Sequence, residues 1–188
     1  MMNKAGREIP DELLQQYGKT GYQGMHFRDD ASYKKAAPTV RSVMDPTRSK
    51  VVDSIHDALE KCGLKDGMTL SFHHHFRDGD YVVNMVMQEV ARMGVRDITI
   101  CASSLGTAHD PVAQMIEDGV VTGIQSSGVR GRIGEAISYG KLKTPAIIRS
   151  HGGRVRAIEE GEVHIDIAFI GAPTSDAYGN ARGGGRQK

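Results

Sequence analysis

The segment Gly67-Met-Thr-Leu-Ser-Phe-His-His-His-Phe-Arg77 decides the fold, because it passes from an apolar strand into a strongly polar loop. Its first part predicts a β-strand at about Met68–Phe72. Apolar residues between positions 82 and 90 follow at helical spacing and end at Gly94, which predicts a helix. A strand, a polar loop and an amphipathic helix in that order are typical of an α/β protein.

The same alternation extends in both directions along the chain. Asp45-Pro46 offers an N-cap followed by proline, and the apolar stripe from Val51 to Cys62 then predicts a helix that stops at Gly63. Asp110-Pro111 predicts the start of another helix, which ends at Gly119. The remaining predicted elements are strands at 98–102, 120–124, 145–149 and 164–170, and a helix at about 132–139.

These elements predict an α/β fold with a mainly parallel open sheet and helices on both faces. Residues 1–45 lack sustained periodicity and are expected to form an irregular N-terminal arm, with at most a short helix around Asp11–Tyr17. Residues 46–180 are expected to form the α/β domain. Residues 181–188 form a glycine-rich tail, which is interpreted as the start of a linker to a missing second half.

Composition excludes several classes of function. The chain has 188 residues and a formal charge of +1, which argues against bulk attraction to nucleic acid or to a membrane. No apolar run approaches the roughly 20 residues of a membrane span. The first residues have no signal-peptide pattern, so a cytoplasmic location is expected. Cys62 and Cys101 lack a CxxC spacing and are expected to be reduced thiols; a disulfide is the alternative.

The loops after the predicted strands carry the candidate chemistry. Carboxyl ends of parallel strands meet at one edge of a sheet, where open α/β proteins bind their ligands. Hydroxyls, imidazoles, backbone amides and arginines gathered there would hold carboxylates or phosphates and stabilise an acyl oxygen. The candidate residues are His73, His74, His75, Arg77, Ser103, Ser104, Ser126, Ser127, Gly128, Arg130, Arg132, His151, Gly152, Gly153 and Arg154.

Each loop has an alternative interpretation. Neighbouring histidines of an extended chain point to opposite faces, and no cysteine or carboxylate lies at ligand spacing, so no metal site is expected. The histidines either face a ligand or are solvated. Ser126–Arg132 resembles a helix N-terminus prepared for an anion, but it matches neither GxGxxG nor a Walker A motif and is equally a glycine-rich turn. His151–Arg154 would also suit a tight turn, and no catalytic nucleophile can be assigned.

Several motifs resemble the coenzyme A transferase family, and within it the citrate lyase alpha type. An aspartate-glycine pair enters a strand that leads into the first loop, which in this type is rich in histidine. A later strand is followed by a segment of the form AxxxDxxGN. The segments that carry the resemblance are Gly6–Pro10, Asp66–Asp80, Ser126–Glu135, Arg149–Arg154, Val163–Ile170 and Ala172–Asn180.

The resemblance implies a citrate CoA-transferase that exchanges acetyl for citryl on an acyl-carrier-protein thioester. It implies partners, the beta (lyase) and gamma (acyl carrier) subunits, in a hetero-oligomer. It also implies no tightly bound cofactor, because the CoA-type prosthetic group is carried by the acyl carrier protein. The family has two similar α/β halves, so the resemblance implies that this chain is only the first half, and inactivity of the isolated chain is one expected outcome.

The motifs also allow three alternative hypotheses about function. They are a general acyl-CoA:carboxylate CoA-transferase half, a phosphosugar isomerase or sensor of related fold, and a non-catalytic assembly domain. Histidines in place of glycines in the first loop disfavour the first two.

Overall fold

A computed structural model describes residues 1–3, 6–16, 18, 47–73 and 81–182. The chain divides into two compact units, Met1–Lys34 and Lys35–Lys188. In the first unit a short helix, α1, spans Asp11–Gln16, and the amino group of Met1 lies 2.9 Å from the Asp11 carboxylate. The short helix expected in this region is therefore present.

The second unit contains the α/β fold. Helices and strands alternate along it, with one 3₁₀ turn at Thr107–His109 and a short hairpin at the end. The helices are α2 Ile55–Lys61, α3 Val82–Arg92, α4 Val112–Glu117, α5 Gly131–Ser138 and α6 His151–Glu159. The strands are β1 Thr69–Phe72, β2 Ile98–Ala102, β3 Val121–Ser126, β4 Ile147–Ile148, β5 Ile167–Phe169, β6 Thr174–Ser175 and β7 Ala181–Arg182.

Five strands form one parallel sheet in the order β4-β3-β2-β1-β5. In its centre Leu70 aligns with Ile100, and Ile100 aligns with Ile124. Parallel neighbours require a crossover, and helices supply most of these connections. The predicted parallel α/β fold is confirmed.

The two faces of the sheet are covered differently. Ile98, Ile100 and Ala102 of β2 belong to the main core, which also takes in buried residues of α2, α3, α4 and α5. Cys101 points the opposite way, because side chains alternate along a strand, and it packs with Ala157 of α6. Helices therefore lie on both faces, as predicted, with α6 covering the second face.

Several predicted boundaries are wrong. Helix α2 begins at Ile55 and not near position 46, because the Ser54 hydroxyl caps it by accepting a 3.0 Å hydrogen bond from the Asp57 N–H. Val51 precedes the helix and is 66% exposed. The proposed cap at Asp45 lies outside the described residues.

Segment 150–154 is the first turn of helix α6 and not a loop or a tight turn. The two glycines of this segment disfavour a helix locally, but Ser150 caps it, and its Ala157 is fully buried. The strand predicted at 145–149 is reduced to the two residues of β4. Ala181 and Arg182, placed in the tail by sequence, pair with β6 as strand β7.

Both thiols are free, with Cys62 exposed and Cys101 buried. Among the helices of the described residues, none has the length and apolar character needed to cross a bilayer.

Candidate functional site

The loops singled out by sequence leave the same edge of the sheet, because β1, β2, β3 and β4 are parallel. His73 follows β1 directly, is exposed, and its N–H donates to the Phe169 carbonyl at 3.3 Å. The rest of the histidine loop, including His74, His75 and Arg77, lies outside the described residues. At this edge the described residues include His73 and the segments that follow β2, β3 and β4.

The second and third loops form one layer. The Arg130 N–H donates to the Leu105 carbonyl at 2.9 Å, and Leu105 pairs with Val129 in a parallel bridge. The Ser127 N–H donates to the Ser103 carbonyl at 3.3 Å. These bonds continue the β2–β3 pairing beyond both strands, so two loops that the sequence could only list separately are held side by side.

Most serine hydroxyls in this layer are enclosed. Ser103 is 5% exposed and Ser126 is 3% exposed. The Ser126 hydroxyl donates to the Gly128 carbonyl at 2.9 Å, which makes it part of the turn. The Ser127 hydroxyl is buried and has no hydrogen-bond partner among the described residues. Ser104 and Ser127 are half-buried as residues, and the buried hydroxyls of Ser126 and Ser127 do not face a ligand.

The N-terminus of α5, proposed from sequence as an anion cradle, already holds a carboxylate of this chain. Asp110 Oδ1 accepts a 2.8 Å hydrogen bond from the Arg132 N–H. A helix N-terminus attracts negative charge, and an internal carboxylate there repels a second anion. The Asp110 side chain therefore caps the N-terminus of α5. Helix α4, which follows Asp110 in sequence, begins at Val112 with no side-chain cap.

Gly131 is required for this arrangement. Its φ is +64°, a region that side chains disfavour, and a Cβ at this position would overlap Asp110 Oδ1. The glycine lets the Asp110 carboxylate reach the start of α5. Sequence reasoning missed Asp110 as part of the site, because its position before a proline is typical of a cap for the next helix.

The N-terminus of α6 is open by comparison. The Ser150 hydroxyl accepts from the Gly153 N–H at 3.0 Å, while His151 and Gly152 are exposed. No acidic residue lies in the first turn, and nothing lies within 4 Å of a Cβ built on Gly152. The start of α6 therefore differs from that of α5, where the Asp110 carboxylate accepts a backbone hydrogen bond.

Arg154 points inward and away from this edge. Its guanidinium donates to the Ser71 hydroxyl at 2.7 Å, to the Cys101 carbonyl at 3.2 Å and to the Cys101 thiol at 3.4 Å. It therefore fastens α6 to β1 and β2. Arg149 is similarly engaged, with Gln125 Oε1 at 2.6 Å and Glu162 at 3.4 Å. Arg130 and Arg132 are exposed and remain the arginines best placed to meet a ligand.

Asn84 is a second residue that the sequence did not indicate. It lies in the first turn of α3, is buried, and its Nδ2 donates to the Ala108 carbonyl at 2.7 Å. This bond ties the helix that follows the histidine loop to the 3₁₀ turn that follows the serine loop. The sequence did not indicate this contact, because a single asparagine among apolar residues forms no recognisable motif and does not specify a distant partner.

A groove of about 880 Å³ lies beside the third loop, between α5 and β4. Its lining is largely apolar, and Glu135 is the one carboxylate among the lining residues. The lining residues are Gly128, Val129, Gly131, Gly134, Glu135, Ile137, Ser138, Tyr139, Pro145, Ala146 and Ile148.

The AxxxDxxGN segment forms the β6–β7 hairpin and its turn. Asp176 accepts hydrogen bonds from the Tyr178 N–H at 2.8 Å, the Asn180 N–H at 2.9 Å and the Asn180 side chain at 2.8 Å. The side-chain bond from Asn180, with the backbone bonds, lowers the pKa of Asp176 below its ordinary value. The aspartate and asparagine of this motif therefore stabilise a turn.

Known proteins resemble this chain along nearly its whole length. The family model described as "Citrate lyase, alpha subunit (CitF)" matches residues 48–187. The citrate lyase alpha chain of Klebsiella pneumoniae is 45% identical over 94% of this chain and 34% of its own length. The corresponding chain of Haemophilus influenzae is 48% identical over 84% of this chain and 32% of its own length.

A solved structure from Streptococcus mutans, described as the alpha subunit of citrate lyase in complex with citrate, has the same fold. Its TM-score is 0.76 and its identity 53%, over 96% of this chain and 35% of that chain. The chain thus spans about a third of the length of the relatives it matches. The family model matches residues 48–187, two relatives are 45% and 48% identical in sequence, and a solved relative shares the fold. The chain therefore belongs to the citrate lyase alpha subunit family.

Proposed function

We propose that this chain contributes the first half of a citrate CoA-transferase, which exchanges acetyl for citryl on an acyl-carrier-protein thioester. Acetyl-carrier protein and citrate would give citryl-carrier protein and acetate. The observation that carries the proposal is that His73, the Arg130 loop and the start of α6 at His151 all follow strands at one edge of the parallel sheet, in a member of this family. The description of the Streptococcus mutans relative as a citrate complex supports the choice of citrate.

The exchange would proceed in two balanced steps. A citrate carboxylate attacks the acetyl thioester carbonyl, the C–S bond breaks, and a mixed anhydride and a thiolate result. The thiolate then attacks the citryl carbonyl of the anhydride, and acetate leaves. Neither step needs a nucleophile from the protein, so the residues of this chain would only bind, orient and stabilise charge.

The open end of α6 suits a citrate carboxylate. Its first turn contains no acidic residue and exposes His151 and Gly152, whereas the α5 end is capped by Asp110. Arg130, the N-cap of α5, and Arg132, in its first turn, are exposed and would add positive charge. The histidine loop would lie at the acyl carbonyl, where its donors would stabilise the developing oxyanion.

The proposal assigns no tightly held cofactor to this chain. The reactive thiol would belong to a CoA-type prosthetic group on the acyl carrier (gamma) subunit, and the lyase (beta) subunit would consume the citryl thioester. Because the chain spans about a third of its relatives, the remainder of the site would come from sequence beyond these 188 residues.

The decisive experiment measures acyl exchange from acetyl-CoA, in place of the acetyl carrier protein, to ¹⁴C-citrate. The 188-residue chain is compared with a version extended to the length of its relatives. We expect activity in the extended version and little or none in the short one. Activity in neither would overturn the proposal and favour an assembly role for this fold.

The histidine loop is tested in the extended version. His73→Ala, His74→Ala and His75→Ala should each lower kcat by roughly 10- to 100-fold, since loss of one oxyanion donor has effects of that order or larger. His164→Ala is the matched control, because His164 is exposed and lies before β5, outside these loops. Unchanged kinetics for all three loop variants would contradict the assigned role.

A further inference from the structure

A second concave surface lies apart from the loops at the sheet edge. It is a groove of about 610 Å³ between segment 48–52 and one face of α2. That volume is in the range of small-molecule sites. None of its lining residues belongs to the four loops of the candidate site. We call it the α2 groove, and its lining residues are Arg48, Ser49, Lys50, Val51, Val52, Ala58, Lys61 and Cys62.

Three cationic side chains line the α2 groove, and no acidic residue does. Arg48, Lys50 and Lys61 have no carboxylate within ion-pair distance among the described residues. Other basic side chains of the unit do have partners, for example Lys141 with Glu117 and Lys143 with Asp97. Three like charges that share one concavity repel each other, and a bound anion would remove that repulsion.

The acidic residues of α2, Asp57 and Glu60, are not among the residues that line the groove. The hydrogen bond that His56 makes to the Glu89 carboxylate raises the pKa of His56, and the charges of Glu60 and Asp57 contribute smaller effects in the same direction. His56 lies on the side of α2 that contacts α3, through its 2.9 Å bond to Glu89. Ala58, Lys61 and Cys62 are the residues at the C-terminal end of α2 that line the groove.

The groove is also held in shape by the β6–β7 turn. The Lys50 N–H donates to the Ala177 carbonyl at 2.6 Å. Gly179, with a φ of +89°, lies against the side chain of Lys50, since a Cβ there would come 3.3 Å from Lys50 Cδ. A fixed backbone reduces the conformational entropy lost when Lys50 binds a ligand.

We propose that the α2 groove binds a phosphate-ester ligand with two or three closely spaced negative charges on an organic body, such as a nucleoside diphosphate. The three cations would hold the phosphates, with Arg48 able to bind two oxygens at once. Val51, Val52 and Ala58 would contact the organic body. This site is independent of the proposed acyl exchange.

The test uses the intact chain and three probes: pyrophosphate, ADP and citrate. Binding is measured by isothermal titration and by ¹H–¹⁵N NMR shifts at 50 and 200 mM salt. We expect ADP and pyrophosphate to bind more tightly than citrate, with affinity falling as salt rises. The double variant Lys50→Gln/Lys61→Gln should weaken both phosphate probes at least tenfold. Lys65→Gln, an exposed lysine outside the groove, should not.

Circular dichroism melting of each variant confirms that the fold is retained, and any variant with a lowered melting temperature is replaced by Arg48→Gln. No phosphate binding at millimolar concentration, or equal weakening by Lys65→Gln, would overturn the proposal. Citrate binding more tightly than pyrophosphate would also overturn it. A failed acyl-exchange assay leaves these titrations unaffected, so the two proposals fail separately.

Discussion

Asp110 and Gly131 show how one pair of residues decides what a helix end can bind. The Asp110 carboxylate satisfies the Arg132 N–H, and only a residue without a side chain at position 131 leaves room for it. The Asp110 carboxylate therefore occupies the α5 end, whereas a Cβ built on Gly152 at the α6 end would lie in open space. Two glycine-rich segments of similar appearance in sequence thus begin helices with different caps, a carboxylate from a distant residue at α5 and a local serine hydroxyl at α6.

This contrast yields the first stability prediction. Gly131→Ala should lower the free energy of unfolding by about 2–4 kcal/mol, from the left-handed backbone and the loss of the Asp110 cap. Gly152→Ala should change it by less than about 1 kcal/mol, since that residue lies in a helix with open space around it. Urea denaturation of both variants measures the difference. Similar losses in the two variants would contradict the role given to Gly131.

Helices α2 and α3 are joined by a pH-sensitive pair. His56 Nδ1 lies 2.9 Å from Glu89 Oε1, and Arg92 contacts the other oxygen at 3.1 Å. The hydrogen bond to Glu89 raises the pKa of His56, and the hydrogen bond to His56 lowers the pKa of Glu89. Each shift means that the folded state favours the charged form of that side chain.

The pair should stabilise the fold most between the two ordinary pKa values. The His56 contribution is complete below its ordinary pKa of 6.5 and disappears as pH rises through the raised folded value. The Glu89 contribution is complete above its ordinary pKa of 4.5 and disappears as pH falls through the lowered folded value. In ¹H NMR titrations, Glu89→Gln should return the His56 pKa toward 6.5. An unchanged midpoint in that variant would contradict the pairing.

At the scale of the whole molecule, the sheet ends in an exposed edge at β4. Ile147 is 42% exposed and Ile148 is 58% exposed, and Tyr139 beside them is 80% exposed. The apolar groove between α5 and β4 adjoins this edge. An exposed apolar edge strand offers unpaired backbone groups to another strand or surface.

The chain should therefore associate with itself as its concentration rises. Ile148→Lys should lower the average mass measured by light scattering, because a charge at the edge opposes strand addition. Met85→Lys is the control, since Met85 is a half-exposed apolar residue on α3 and away from this edge. If both variants associate like the parent chain, the β4 edge does not mediate the contact.

The sequence by itself determined the elements and the family. Apolar periodicity predicted strands such as Ile98–Ala102 to the residue, and parallel order followed from strands alternating with short helical crossovers. The sequence-based prediction was wrong at His151–Glu159, where the two glycines favoured a turn. The Ser150 cap and the burial of Ala157 stabilise a helix there instead. Periodicity is a local consequence of burial, so it can be read along the chain.

Only the tertiary structure decided which side chains meet. It assigned Asp110 to α5, turned Arg154 toward Ser71 and Cys101, and brought Arg48 and Lys61 into one groove. These contacts join residues that are 13 to 83 positions apart, and nothing in their local sequence specifies the partner. Hydrogen bonds and Coulombic interactions depend on distances of a few ångströms, and those distances exist only once the sheet and its helices have packed.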